Sequence, residues 1–163
     1  MAASWNATEL ETWASVATLL ERLPAALDAQ LLRDSGLTHF EYGVLYALDT
    51  APERRLRMSV LAGYASCTLS RLSRAVSRLE AKHWAVRAVD PDDGRFTLAV
   101  LTTAGHERVA QATPAHRALV DRVVFGALAP GQAEVLGQIA RRVSAELGSD
   151  GWTPSSPSGR SHR

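Results

Sequence analysis

The stretch TLSRLSRAVSRLE, residues 68–80, places arginine at steps of three and four: Arg71, Arg74 and Arg78. At helical periodicity these side chains share one stripe, with Thr68, Ser70 and Ser73 beside them. A guanidinium fork matches phosphate and also the two acceptors on the major-groove edge of guanine. Short hydroxyls let a helix approach the phosphate backbone closely. A fourth arginine, Arg95, stands at the tip of the turn DPDDGR. A cation on such a projection suits the narrow, negative minor groove. Asp93, two residues earlier, is placed to pair with Arg95 and fix its direction. Taken alone, an arginine stripe describes a solvated helix face. The Ser/Thr-rich helix start, the three arginines and the arginine-tipped turn together favour double-stranded DNA as the partner. The expected contacts are Thr68, Ser70, Arg71, Ser73, Arg74, Arg78 and Arg95, with Asp93 as wing support.

The charge distribution agrees. The chain has 163 residues and a formal net charge of only +1. Residues 54–95 nevertheless hold nine Lys or Arg against four acids, net +5, which leaves −4 for the rest. A basic middle between acidic ends is an electrostatic footprint. With 46% hydrophobic residues the chain is globular. One cysteine, Cys67, allows no internal disulfide and no cysteine-rich metal site. Cys67 admits two readings, a redox sensor near a helix start with Arg71 close by and an inert buried thiol, of which the second is favoured. The histidines 39, 83, 106, 116 and 162 lack metal-ligand spacing. No Gly-rich phosphate loop, nucleophile elbow or His/carboxylate set is present, so no enzyme and no cofactor is expected. Without a signal-peptide pattern or a long apolar run, the chain is expected to be soluble and cytoplasmic, with no membrane association. Its arginine and alanine bias is that of a GC-rich bacterial genome.

These residues need elements to hold them. Trp13, Val16, Leu20, Leu23 and Leu27 fall at steps of 3, 4, 3 and 4, predicting a long helix over 8–33 with a seam for a partner helix. Thr8 with Glu11, and Thr38 with Glu41, read as capping boxes. Pro24 and Pro114 predict a kink or division of their helices. A helix to about Leu48, a short helix from Ser59 and the arginine-striped helix to about Lys82 follow. The stripe helix should bury Leu69, Leu72, Val76 and Leu79. Strands at about 85–89 and 96–101 flank the DPDDGR turn. Leu128-Ala-Pro130 should open a last helix with apolar residues 135, 136, 139, 143 and 147 on one face. From residue 148 the chain is Gly, Ser and Pro-rich, the composition of a disordered tail.

The chain thus reads as mainly α with a small β-hairpin. LTHFEYGVLYAL, SVLAGYASCTLSRLSRAVSRLEAKHWAVR and DGRFTLAVLTTAG resemble segments of the MarR family of bacterial transcription regulators. The specific part is Asp-x-Arg followed by Leu-Thr and Gly. The resemblance covers about 37–147. It implies a winged helix-turn-helix lobe over 36–103 and a helical dimerisation lobe from 1–35 and 104–147, with 148–163 as the tail. It further implies a homodimer binding a pseudo-palindromic operator, as a repressor released by a small-molecule effector. Carried over by position, Ser70, Arg71, Ser73 and Arg74 lie in the recognition helix, and Arg95 lies in the wing. Trp13, His39, Tyr42 and Tyr46 are candidates for lining an effector cavity, since aromatics with polar tips suit one. The chain departs from the family pattern at His83-Trp84, where Gly-Leu is usual, at Pro91-Asp92 in the wing, and at Pro114. The acidic turn 90–93 supports an alternative, a winged-helix dimer acting through protein contacts with DNA binding weakened or lost.

Overall fold

The computed structural model describes residues 4–148. What was expected of the tail from 149 onward lies outside them. The described residues form six α-helices, two short 3-10 turns and one three-stranded antiparallel sheet. Helix α1 spans Ala7–Ser35, α2 His39–Thr50, α3 Met58–Tyr64, α4 Leu69–Ala81, α5 Thr103–Val123 and α6 Gln132–Glu146. Strands β1 (Arg55–Arg57), β2 (Ala85–Val89) and β3 (Thr97–Leu101) pair in the order β1-β3-β2. No helix among the described residues is long and apolar enough to cross a membrane.

Local chemistry sets the boundaries. Asn6 caps α1: its side chain accepts from the Glu9 N–H at 2.8 Å, and Glu9 accepts from the Asn6 N–H at 2.9 Å. This box replaces the expected one at Thr8 and Glu11, in keeping with asparagine being the stronger cap. The Thr38–Glu41 box forms as expected. Helix α1 runs unbroken through Pro24, and α5 through Pro114. Each proline removes one helical donor, but neither ends its helix. Helix α3 starts at Met58 rather than Ser59, because β1 leads straight into it and no side chain caps it. Helix α6 begins after Pro130 rather than with it, at a left-handed Gly131. The third strand, β1, has no strand signal in the sequence. It is three residues long and two of them are arginine.

The core lies between α1–α5 and the sheet. Leu31, Leu37, Val44, Leu45, Leu48, Leu61, Leu72, Val76 and Leu79 are fully buried. Each such side chain stabilises the fold by about 1.5–3 kcal/mol relative to exposure. Helix α5 packs on α1 and α2. Tyr42 Oη lies 3.1 Å from Thr113 Oγ1, and His106 Nδ1 lies 2.6 Å from Asp49. Asp28 of α1 accepts from the His39 N–H at 2.6 Å. In contrast, the expected seam of α1 is open: Trp13, Val16 and Leu20 are exposed, and only its end at Leu27 is buried. Helix α6 buries none of its residues.

Two backbone positions tie the helices to the wing. Helix α4 ends with the Trp84 N–H donating to Leu79 O and the His83 N–H to Glu80 O, a Schellman arrangement. It requires His83 to be left-handed, and its φ is 59°. His83 therefore takes the conformation that glycine would supply. The Trp84 carbonyl then accepts from the Thr102 N–H at 3.2 Å. Gly105, in the first turn of α5, sits against that same carbonyl, and a Cβ there would fall on its oxygen. Alanine ordinarily favours a helix over glycine by about 1 kcal/mol. Here overlap with fixed backbone outweighs that gain. Gly105→Ala should lower stability by about 1–3 kcal/mol in urea unfolding.

Candidate nucleic-acid interface

Helix α4 separates its faces. Leu72, Ala75, Val76 and Leu79 are buried, while Ser70, Arg71, Arg74, Ser77 and Arg78 are exposed. Thr68 caps it, its hydroxyl accepting from the Arg71 N–H at 3.2 Å. Leu69, expected on the buried face, is 53% exposed. It is the first helical residue, and its Cβ leans toward the open helix start rather than over the core.

The three arginines of the stripe are in unlike surroundings. Arg78 Nε donates to Glu41 Oε1 at 2.6 Å, and Glu41 is 3% exposed. The other Glu41 oxygen accepts from the Thr38 N–H at 3.2 Å, with Lys82 Nζ 4.0 Å away. Burial pushes the Glu41 carboxyl up. The hydrogen bonds from Arg78 and Thr38 and the nearby cations more than offset this and hold it below its ordinary value. Arg71 stacks over the Phe40 ring at 4.4 Å. The Arg74 guanidinium has no ionic or hydrogen-bonding partner among the described residues and is exposed. It projects beside Thr38, Phe40, Asp28, Arg71 and Arg78 into an open hollow of about 430 Å³.

The wing is braced to this helix. Arg87 of β2 pairs with Glu80 and donates to Ser73 O at 2.7 Å, Ser73 Oγ at 3.1 Å and Ser77 Oγ at 3.2 Å. Ser73 is thereby engaged by the wing. Arg57 Nε donates to the buried Asp90 at 2.6 Å and its guanidinium stacks on Phe96 at 4.3 Å. Asp90 also accepts from the Asp92 N–H, which leads in holding its carboxyl below the usual range, with Arg57 adding to the effect. At the tip Arg95 is 83% exposed and donates to Asp93 twice, at 2.9 Å and 2.6 Å. These bonds hold the Asp93 carboxyl low and raise Arg95.

Behind α4 lies a cavity of about 710 Å³ between α1, α2, α3, α4 and α5. Of the residues predicted to line a cavity, His39, Tyr42 and Tyr46 do so and Trp13 does not. Trp13 is half exposed on α1, its ring 6.0 Å from that of Trp5. The structure adds Arg71, His116 and Arg117 to the lining. The His39 and His116 rings are 5.5 Å apart, and the Nδ1 atom of each is buried without a hydrogen-bond partner. Burial lowers the pKa of both imidazoles, opposed at His39 by Asp28 and reinforced at His116 by His39. Cys67 is a free, half-buried thiol packed against the core. The described residues contain no metal-binding cluster.

A helix-turn-helix whose second helix is braced by a β-hairpin is a winged helix. The MarR family model matches residues 35–95. Sco3205, a MarR family transcriptional regulator from Streptomyces coelicolor solved in complex with DNA, is similar at 42% identity and TM-score 0.86, over 88% of this chain and 94% of that one. AbsC, another MarR family regulator from the same organism, is similar at 29% identity and TM-score 0.85, over 90% and 98%. The PcaV regulator of that organism, solved with its natural ligand, gives 26% identity and TM-score 0.70, over 90% and 99%. A comparison with curated protein sequences finds no match. The chain belongs to the MarR family of transcription regulators.

Removing one partner from a fully buried ion pair costs about 3–5 kcal/mol. Arg78 is 55% exposed, so water recovers part of its contribution. Arg78→Ala should therefore cost about 1–3 kcal/mol in urea unfolding at neutral pH. Since Glu41 ionises below its ordinary 4.5 when folded, this stabilisation is complete above that value. It is lost as pH falls through the folded-state value. The stabilities of wild type and Arg78→Ala should converge in acid.

Proposed function

We propose that the protein is a homodimeric repressor that binds a pseudo-palindromic operator and releases it when a small molecule enters the cavity behind α4. The observation that carries this reading is Arg74. It is an unpartnered guanidinium on the exposed face of a capped helix, flanked by Ser70 and Ser77. Arg74 reads a base edge; Thr68, Ser70 and Arg71 contact the backbone or base edges nearby; Arg95 enters the minor groove. Ser73 and Arg78 serve the same surface by positioning it, Ser73 through Arg87 and Arg78 through Glu41. Asp93 aims Arg95, and neutralises part of its charge as it does so. The acidic turn gives the protein-contact alternative less support than its composition implied, since Asp90 and Asp93 are occupied by Arg57 and Arg95.

The exposed apolar stripes support the dimer. Leu10, Trp13, Val16 and Leu20 on α1, and Val135, Ile139 and Val143 on α6, are each 42–61% exposed. Stripes of this kind on two helices ask for a partner. A second copy of the chain meets that need and yields the twofold symmetry that a palindrome requires. We assign 1–35 and 104–147 to this dimer lobe and 36–103 to the DNA lobe. The effector reading rests on the cavity, where two histidines and two arginines surround aromatic rings.

Fluorescence anisotropy with a selected operator and a random duplex tests the assignment. Arg74→Ala should weaken operator binding by about 1–3 kcal/mol and random-duplex binding far less. Equal loss on both duplexes would make Arg74 a phosphate contact. Binding of the wild type should weaken steeply as salt rises. In sedimentation, Ile139→Asp should convert a dimer to monomers and reduce operator affinity in parallel. A wild-type monomer at micromolar concentration would remove the dimer.

A further inference from the structure

We propose that Leu69 is a base-reading residue that recognises the methyl group of a thymine in each operator half-site. The inference rests on the regulator reading above. Leu69 is the first residue of α4, after the Thr68 cap, and is 53% exposed. It lies outside the apolar core, although its spacing from Leu72 and Val76 would have continued the buried seam. The other exposed residues over the first ten positions of α4 are Ser70, Arg71, Arg74, Ser77 and Arg78, all polar. One large apolar side chain therefore stands at the leading end of an otherwise hydrophilic surface. The extensive apolar stripes of the chain are elsewhere, on α1 and α6.

The first turn of a recognition helix approaches base edges most closely. Donors and acceptors line the major groove, and leucine can satisfy none of them. The apolar feature it can meet there is the C5 methyl of thymine. Covering that methyl removes apolar surface from water on both partners. A cytosine at the same place presents an amino group that leucine would desolvate without compensation. Leu69 thus adds a thymine preference to the base contact of Arg74, five residues further along the helix.

The test uses an operator obtained by selecting duplexes on the wild-type protein. Each thymine of the half-site is replaced in turn by deoxyuridine, which removes only the methyl. Affinities are then measured for wild type and Leu69→Ala. For the wild type, one replacement per half-site should weaken binding about fourfold, the value of one buried methyl group. Leu69→Ala should bind the thymine operator more weakly and should not distinguish thymine from deoxyuridine there. An unchanged unfolding temperature for Leu69→Ala would show that the loss arises at the interface. The proposal is overturned if no deoxyuridine replacement weakens wild-type binding, or if Leu69→Ala discriminates as the wild type does. Absence of any sequence-preferring binding by the wild type would instead bring down the regulator reading, and this one with it.

Discussion

A single buried carboxylate, that of Glu41, joins the scaffold of this molecule to helix α4. One oxygen closes the α2 capping box at the Thr38 N–H, and the other takes the Arg78 guanidinium. Lys82, which also reaches the Gly36 carbonyl at 2.8 Å, lies at the edge of the same site. An unpaired carboxylate at 3% exposure would be costly, so α2 and α4 must meet at the register that brings Arg78 to it. The orientation of the outward face of α4 follows from that docking. Arg78 thereby determines where Arg74 and Ser70 point, whatever else it touches.

The same economy applies to the other arginines. Arg87 is consumed in linking β2 to the Ser73–Ser77 edge of α4, and Arg57 in holding the buried Asp90 at the wing base. Arg71 is held against Phe40 where the cavity and the outer hollow meet. A basic region that looks uniform in composition thus divides into cations that build the surface and cations that remain available on it. Net charge measures the second group poorly, because the first is already matched by Glu41, Glu80 and Asp90.

What could be read from the sequence was what depends on near neighbours. The Thr38–Glu41 box, the β2 span and the Asp93–Arg95 pairing each join residues within three positions or follow a short alternation. What stayed hidden depends on distant partners. Arg78 and Glu41 are 37 residues apart, and nothing in either segment announces the other. His116 reaches the cavity only because α5 packs on α2, and Trp13 misses it because that stretch of α1 projects away from the core. Strand β1 is too short and too cationic to give a β signal, and its pairing with β3 is what makes it a strand. The prolines do not divide their helices, since a helix continues across one lost donor.

The Trp84 carbonyl has a mechanical consequence. It is clasped by the Thr102 N–H and closed over by Gly105, so the end of the wing and the start of α5 form one stiff piece. That piece is joined to α4 by the main-chain bonds from Trp84 to Leu79 and from His83 to Glu80, and Arg87 adds its contacts to Ser73 and Ser77. A displacement of the first turn of α5 would therefore be felt at once by the hairpin and by the last turn of α4. Hairpin, α4 and α5 thus share one anchoring point, the peptide of Trp84.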